Sequence, residues 1–325
     1  MNRRAFLKGA AGIGFAGNAS RPAFAQTFPT NAIRIVVPTS AGTPPDILAR
    51  ILATALSDGE GWKVVVERKA GNVMIAAALD VLSQPADGHS LFPANARISA
   101  LPTLMPNSQF NLERDFVPVI KTGASYNVLV VTPSLPVNSV GELVAHLKKN
   151  PGKYTYSSGG LATPAHLIGE MFKLETGVKT THVPYVEFPQ AIADLVSGFN
   201  AYQFITTLPV IELIKTGKLK ALAVTGKKRV AALSDVPTIA EAGYPKLASE
   251  DWAGIMVKTG TPAPVIARLN AAFDRAVKAE KVREEFAKLG FDPGGGSPEA
   301  FGALVHTEIV RWAKVIKDAG IKAGP

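Results

Sequence analysis

Two loops in this 325-residue sequence gather the residue types that bind small anions. They are Thr39-Ser40-Ala41-Gly42-Thr43 and Ser157-Ser158-Gly159 through Thr163. Each lies between a β-branched run and a helical pattern, and each ends in Thr-Pro, at 43–44 and 163–164. Threonine at an N-cap with proline at the first helical position starts a helix. The turn before it presents unpaired backbone N–H groups at the positive end of the helix dipole, which suits a carboxylate or phosphate. One such junction is ordinary in any α/β protein, but two in separate halves of the chain fit opposite walls of a cleft. Ser157 and Thr163 are the leading candidates for carboxylate contact, with Ser158 and Gly159 contributing backbone groups. Thr39, Ser40 and Thr43, with Ala41 and Gly42 between them, play the matching part in the other half. Asp46, three residues beyond Thr43, has the spacing of a capping carboxylate rather than a ligand contact.

Further candidates lie outside these loops. Arg97 offers a bidentate partner for a second carboxylate. His166 either touches ligand from the first turn of its helix or hydrogen-bonds within its own half, and His182 reads as structural. Tyr126, Phe92, Tyr185 and Phe204 provide either a pocket wall or core. Thr206 and Thr207 follow an expected strand and add hydroxyls. The absences are equally informative. With no cysteine, thiolate zinc sites and cysteine nucleophiles are excluded. The sequence has no His-x-x-x-His pair, no Gly-x-Ser-x-Gly elbow and no phosphate-loop or dinucleotide fingerprint. The expectation is a binding protein with no metal, no cofactor and no catalytic machinery; an exported hydrolase is the remote alternative.

The elements that must position these residues alternate short β-branched runs with helical ones. Strands are expected at 33–37, 63–67, 89–93, 128–132, 154–157, 179–183 and 220–225. Helices are expected at 46–57, 74–83, 140–149, 165–175 and 189–197, with two long amphipathic helices closing the chain. Strand–helix alternation of this length predicts an α/β fold with parallel sheets, in about two domains by size alone.

The formal charge of +9, from 35 basic and 26 acidic residues, invites a nucleic-acid reading. The first 25 residues change it. Arg3-Arg4 precede Phe6-Leu7-Lys8, a weakly apolar stretch runs over 9–19, and small residues Ala23 and Ala25 sit at −3 and −1 of a cleavage site. This resembles a twin-arginine-type export signal, with cleavage expected after Ala25, and its apolar stretch falls well short of the roughly 20 residues that span a bilayer. Removing Arg3, Arg4, Lys8 and Arg21 leaves 31 basic against 26 acidic residues, a net +5. The remaining positive charge is dispersed. Its longest run, Lys227-Lys228-Arg229, reads as a solvated loop, and no nucleic-acid-binding module accompanies it.

From about Phe28 to Gly320 the chain resembles the Bug family, the periplasmic solute receptors of tripartite tricarboxylate transporters. The motifs that carry the resemblance include Ile33-Arg34-Ile35-Val36-Val37-Pro38, Pro85-Ala86-Asp87-Gly88 and Asn150-Pro151-Gly152-Lys153. The best matches are Val236-Pro237-Thr238-Ile239-Ala240-Glu241-Ala242-Gly243, Trp252-Ala253-Gly254 and Gly260-Thr261-Pro262. The resemblance implies a two-lobed, type II Venus-flytrap fold with a mixed, mostly parallel sheet in each lobe. Residues 26–125 with 250–325 would form one lobe and 126–249 the other, the ligand cleft lying between them. It further implies a monomeric periplasmic receptor that captures a small carboxylate, held largely by backbone N–H groups of the two junction loops, and delivers it to membrane transporter subunits. A receptor that signals to a membrane sensor is the alternative. The sequence departs from the family pattern at 43–45, 72–74, 186–187 and 199–201, where ligand is expected, so ligand identity stays open.

Overall fold

Residues 28–322, apart from 40, 70–73, 162 and 186, are described by a computed structural model. The expected export segment at 1–25, Ser40 of the first loop and positions 72, 73 and 186 of the departing segments therefore lie outside the described residues. The chain begins with β1 (Ile33–Val37), α1 (Pro44–Glu60), β2 (Val64–Arg68), α2 (Ile75–Leu82) and β3 (Ser90–Asn95). β1 pairs in parallel with β2 and β3, and four of its five residues are fully buried. Such a strand, covered on both faces, needs an unbroken apolar run. Its exception, Arg34, is matched: the guanidinium donates to both oxygens of Glu67 at 2.9 and 2.7 Å and to Asp80 at 3.0 Å.

After the short turns α3 (Leu101–Leu104) and α4 (Leu112–Asp115), β4 (Phe116–Ser125) leads through Tyr126 into β5 (Asn127–Val131) of a second sheet. That sheet is completed by α5 (Val140–Lys149), β6 (Thr155–Ser158), α6 (Pro164–Thr176), β7 (Thr181–Pro184), α7 (Phe188–Ser197), β8 (Tyr202–Thr206), α8 (Ile211–Lys215) and β9 (Lys220–Val224). The chain then returns as β10 (Asp251–Lys258), followed by α9 (Ala263–Lys278), α10 (Glu280–Lys288), β11 (Asp292–Pro293) and α11 (Pro298–Asp318). The strand orders are β11-β4-β10-β3-β1-β2 and β7-β6-β8-β5-β9.

Both sheets are mixed, but less parallel than the alternation suggests. The first strand after each crossing, β5 in one sheet and β10 in the other, runs antiparallel to both neighbours, and β11 is antiparallel to β4. Only the strand–helix–strand units keep the parallel pairs, because a helical crossover returns the chain in the same direction. The close of the chain also differs, since extended Ala279 divides the first expected helix into α9 and α10.

Helices α1, α9 and α10 cover one face of the first sheet, around Ile33, Ile35 and Phe273. On the other face α11 presses Phe301 onto Trp252. A Cβ on Gly254 would lie 2.2 Å from the Phe301 ring, so only glycine permits this approach. The far half of α11 inserts Trp312, Val315 and Ile316 into the core of the second sheet, so this helix straps the two layers together.

Candidate ligand-binding cleft

Between the two sheets lies a cavity of about 410 Å³. One wall is the start of α1, where Pro44, Pro45 and Leu48 face the space, together with the end of β3 at 93–95. The opposite wall is Phe188 at the start of α7 and the segment 206–209 at the end of β8. Thr122 and Ser125 of β4, the start of β10 and the 289–291 turn complete it. The carboxyl ends of β3, β4 and β8 and the start of α1 thus open on one space, the position at which α/β sheets bind ligands. The lining is largely apolar, with Asn95, Thr122, Ser125, Thr206, Thr207 and Asp251 as its polar members.

Asp251 is the one acid among the lining residues. Ser125 is its direct cross-strand partner, which sends both side chains from the same face of the sheet. No hydrogen bond or ion pair reaches the Asp251 carboxylate among the described residues. Desolvation by the surrounding protein pushes its pKa from 3.8 up to about 6, with no neighbouring cation to oppose it. The side chain keeps partial contact with the open cleft, so it meets an interior-like environment from a position a solute can reach. Ser125 is buried and its Oγ has no hydrogen-bond partner. The basic group nearby on β4, Lys121, is bound to Glu250 at 2.6 Å.

Of the residues singled out from the sequence, Thr206 lines the cavity, and its neighbour Thr207 does too. The first loop contributes through the prolines that follow it. Thr39 and Thr43 hydrogen-bond to each other at 2.7 Å, and Thr43 occupies the N-cap without a side-chain cap bond. Asp46 ties the loop to the helix start, accepting from the Gly42 N–H at 3.1 Å and holding Arg50 through both oxygens. The Arg50 guanidinium keeps its carboxyl below the usual range. Ala41 and Gly42 are exposed on the loop, and Gly42 takes a left-handed φ of 75°.

In the second loop the hydroxyls are committed internally rather than offered to a ligand. Ser157 is fully buried and donates to Gln203 Oε1 at 3.1 Å, its register partner on β8. Ser158 Oγ lies 2.7 Å from His182 Nε2 and closes the turn through Gly160. Thr163 caps α6 by accepting from the His166 N–H, and donates to the Gly160 carbonyl. Gly159 is exposed. His166 is buried in this layer, stacked 4.1 Å from His182. Burial lowers both imidazoles, His182 to about 4, so both are neutral near pH 7.

Arg97 follows the lining residue Asn95, whose side chain accepts the Arg97 N–H. The Arg97 guanidinium is half-buried, its Nε has no partner, and desolvation alone lowers its pKa. It is thus a cation without an acidic neighbour among the described residues. Tyr126 sits at the crossing between the sheets, where its carbonyl accepts from the Thr207 N–H and its hydroxyl faces Asp292. Burial and then that carboxylate raise its pKa. Ser125, Asp251 and Thr122 are not apparent from the sequence because β4 and β10, whose pairing shifts register twice, lack the pattern of regular strands. The acidic pair Glu250-Asp251 ahead of the largely apolar stretch Trp252 to Val257 is the available signal. No cluster of metal-ligating side chains occurs among the described residues. No helix among them is long and apolar enough to cross a membrane.

Comparison with known proteins gives this architecture a lineage. The family model for the tripartite tricarboxylate transporter family receptor matches residues 48–321. Protein BugT of Bordetella pertussis is 34% identical over 303 residues, covering 93% of each chain. Among solved structures, Rpa4515 of R. palustris with adipate is 34% identical with a TM-score of 0.76, covering 91% of this chain and all of that one. MatC of Rhodopseudomonas palustris with bound malate is 27% identical with a TM-score of 0.72, covering 89% of this chain and all of that one. The two-lobed binding-protein fold and its relatives agree, and this chain belongs to the tripartite tricarboxylate transporter receptor family.

Proposed function

We propose that this protein is an exported receptor that captures a small carboxylated solute between its lobes, 26–125 with 250–325 and 126–249. It then delivers the solute, chemically unchanged, to the membrane subunits of a tripartite tricarboxylate-type transporter. The observation that carries this reading is the cavity between the sheets. It is walled by strand ends of both layers and headed by the N-termini of α1 and α7. Relatives solved with adipate and with malate support a carboxylate as the solute class. The loops at 39–43 and 157–163 would hold its carboxylate by backbone N–H groups once the lobes close on it. The half-buried Arg97 guanidinium supplies an unpaired positive charge on the same lobe as α1. The receptor acts as a monomer in the periplasm, the first 25 residues serving as its export signal.

Thermal unfolding of ligand-stripped protein with mono- and dicarboxylates tests this. A cognate solute at about 100 times its Kd stabilises the folded state by about 2.7 kcal/mol, and the effect grows with concentration. Failure of every carboxylate to shift the transition would remove the reading.

A further inference from the structure

Asp251 and Ser125 stand out among the polar groups of the cleft as a directly paired carboxylate and hydroxyl, neither with a hydrogen-bond partner among the described residues. They face each other across β10 and β4 and share a sheet face with Ala253 and Ile255. Beyond them stand Leu48, Ala49 and Leu52 of α1, so the space in front of the pair is walled by hydrocarbon. Lys121 is taken by Glu250 and the Tyr126 hydroxyl is turned to Asp292, so neither of these donors is free for Asp251. A carboxylate held in apolar surroundings without a partner is costly, as is a buried hydroxyl without one. A fold that keeps both at the wall of its binding cavity is incomplete until something fills the site.

We propose that Asp251, with Ser125 Oγ beside it, is a recognition subsite for a protonated amino group, so that the solute is an aminocarboxylate. This rests on the carboxylate-receptor reading and narrows it. An ammonium group has three N–H donors, enough for both Asp251 oxygens and the Ser125 hydroxyl. The apolar walls then enclose the carbon skeleton, while the ligand's own carboxylate lies toward the helix N-termini. A dicarboxylate would instead set a second anion against Asp251 and could be accepted only if Asp251 took up a proton.

Matched triplets distinguish these solutes by calorimetric titration of the ligand-stripped full chain. One series is the ω-amino acids of four to eight carbons, each with its des-amino acid and its diacid. Leucine and phenylalanine form a second series, each with its des-amino acid and the diacid in which a carboxylate replaces the amino group. At about pH 7.5 the amino member of at least one triplet binds about tenfold or more tighter than its des-amino partner, the scale expected of a charge-assisted contact. Asp251→Asn reduces that ratio to within about twofold and leaves the des-amino acid little changed; Ser125→Ala lowers it by about threefold. The melting transition of each variant confirms folding. Preference for a diacid, strengthening as pH falls through about 6, would overturn the proposal and make Asp251 a proton donor. So would an amino preference that survives Asp251→Asn. If carboxylates bind without regard to an amino group, only this inference falls. If no member of any triplet binds, the receptor reading falls and takes the inference with it.

Discussion

Neutralising Asp251 should stabilise the empty protein. In the folded chain this carboxyl titrates at about 6 rather than 3.8, and desolvation is the cause. The native state therefore binds more protons than the unfolded state between those values. The resulting stability is fully present below about pH 4 and is lost as pH rises through about 6. At about 1.36 kcal/mol per unit, the shift sets a ceiling of about 3 kcal/mol on the cost of the ionised group. Partial contact with cleft solvent brings the expected gain for Asp251→Asn at about pH 8 to roughly 1–3 kcal/mol. For a chain of this length that is about 2–6 °C in Tm, falling to nearly nothing at about pH 4. Ligand-free protein unfolded by heat and by urea at both pH values provides the assay, read as variant minus wild type. The subtraction matters because buried histidines push the wild-type profile the other way. A variant less stable than wild type at pH 8, or a gain independent of pH, would refute the reasoning, since a paired carboxylate behaves in that manner. A binding group that weakens the empty fold is a familiar exchange of stability for function.

Two further outcomes follow from the packing. His182 titrates at about 4 in the fold instead of 6.5, so the stability it lends is present above 6.5 and lost as pH falls through 4. His182→Asn should flatten the acid limb of the urea-midpoint profile by up to about 3 kcal/mol. Gly254→Ala puts a Cβ 2.2 Å from Phe301 Cζ and 2.8 Å from the Ile120 carbonyl, and the second neighbour is backbone that cannot rotate away. The expected loss is about 1–3 kcal/mol in a melting experiment.

The βαβ units are legible because short strand-forming runs alternate with helices opened by Pro44 and Pro164. β4 and β10 are not, for a physical reason. β4 carries Pro118, Lys121 and Gly123, β10 carries Gly254, and their pairing shifts register twice, so neither shows the clean pattern of a strand. The site followed the same division. The hydroxyl-rich loops stand out in the sequence, yet in the fold Thr39 serves Thr43, Ser157 serves Gln203 and Thr163 serves its own helix. A loop's residue types do not reveal which hydroxyls its own turn consumes. The unpartnered groups Ser125 and Asp251 meet only because β10 returns from the second sheet to pair with β4.

The most direct measurement is a structure of the protein with its solute bound, using whatever small acid shifts the melting transition most. The prediction is one solute in the cavity between the sheets, touching Thr206 or Thr207 from one layer and the α1 N-terminus or Asp251 from the other. A solute seated outside this cavity, or touching one layer alone, would contradict the assignment of the cleft as the binding site.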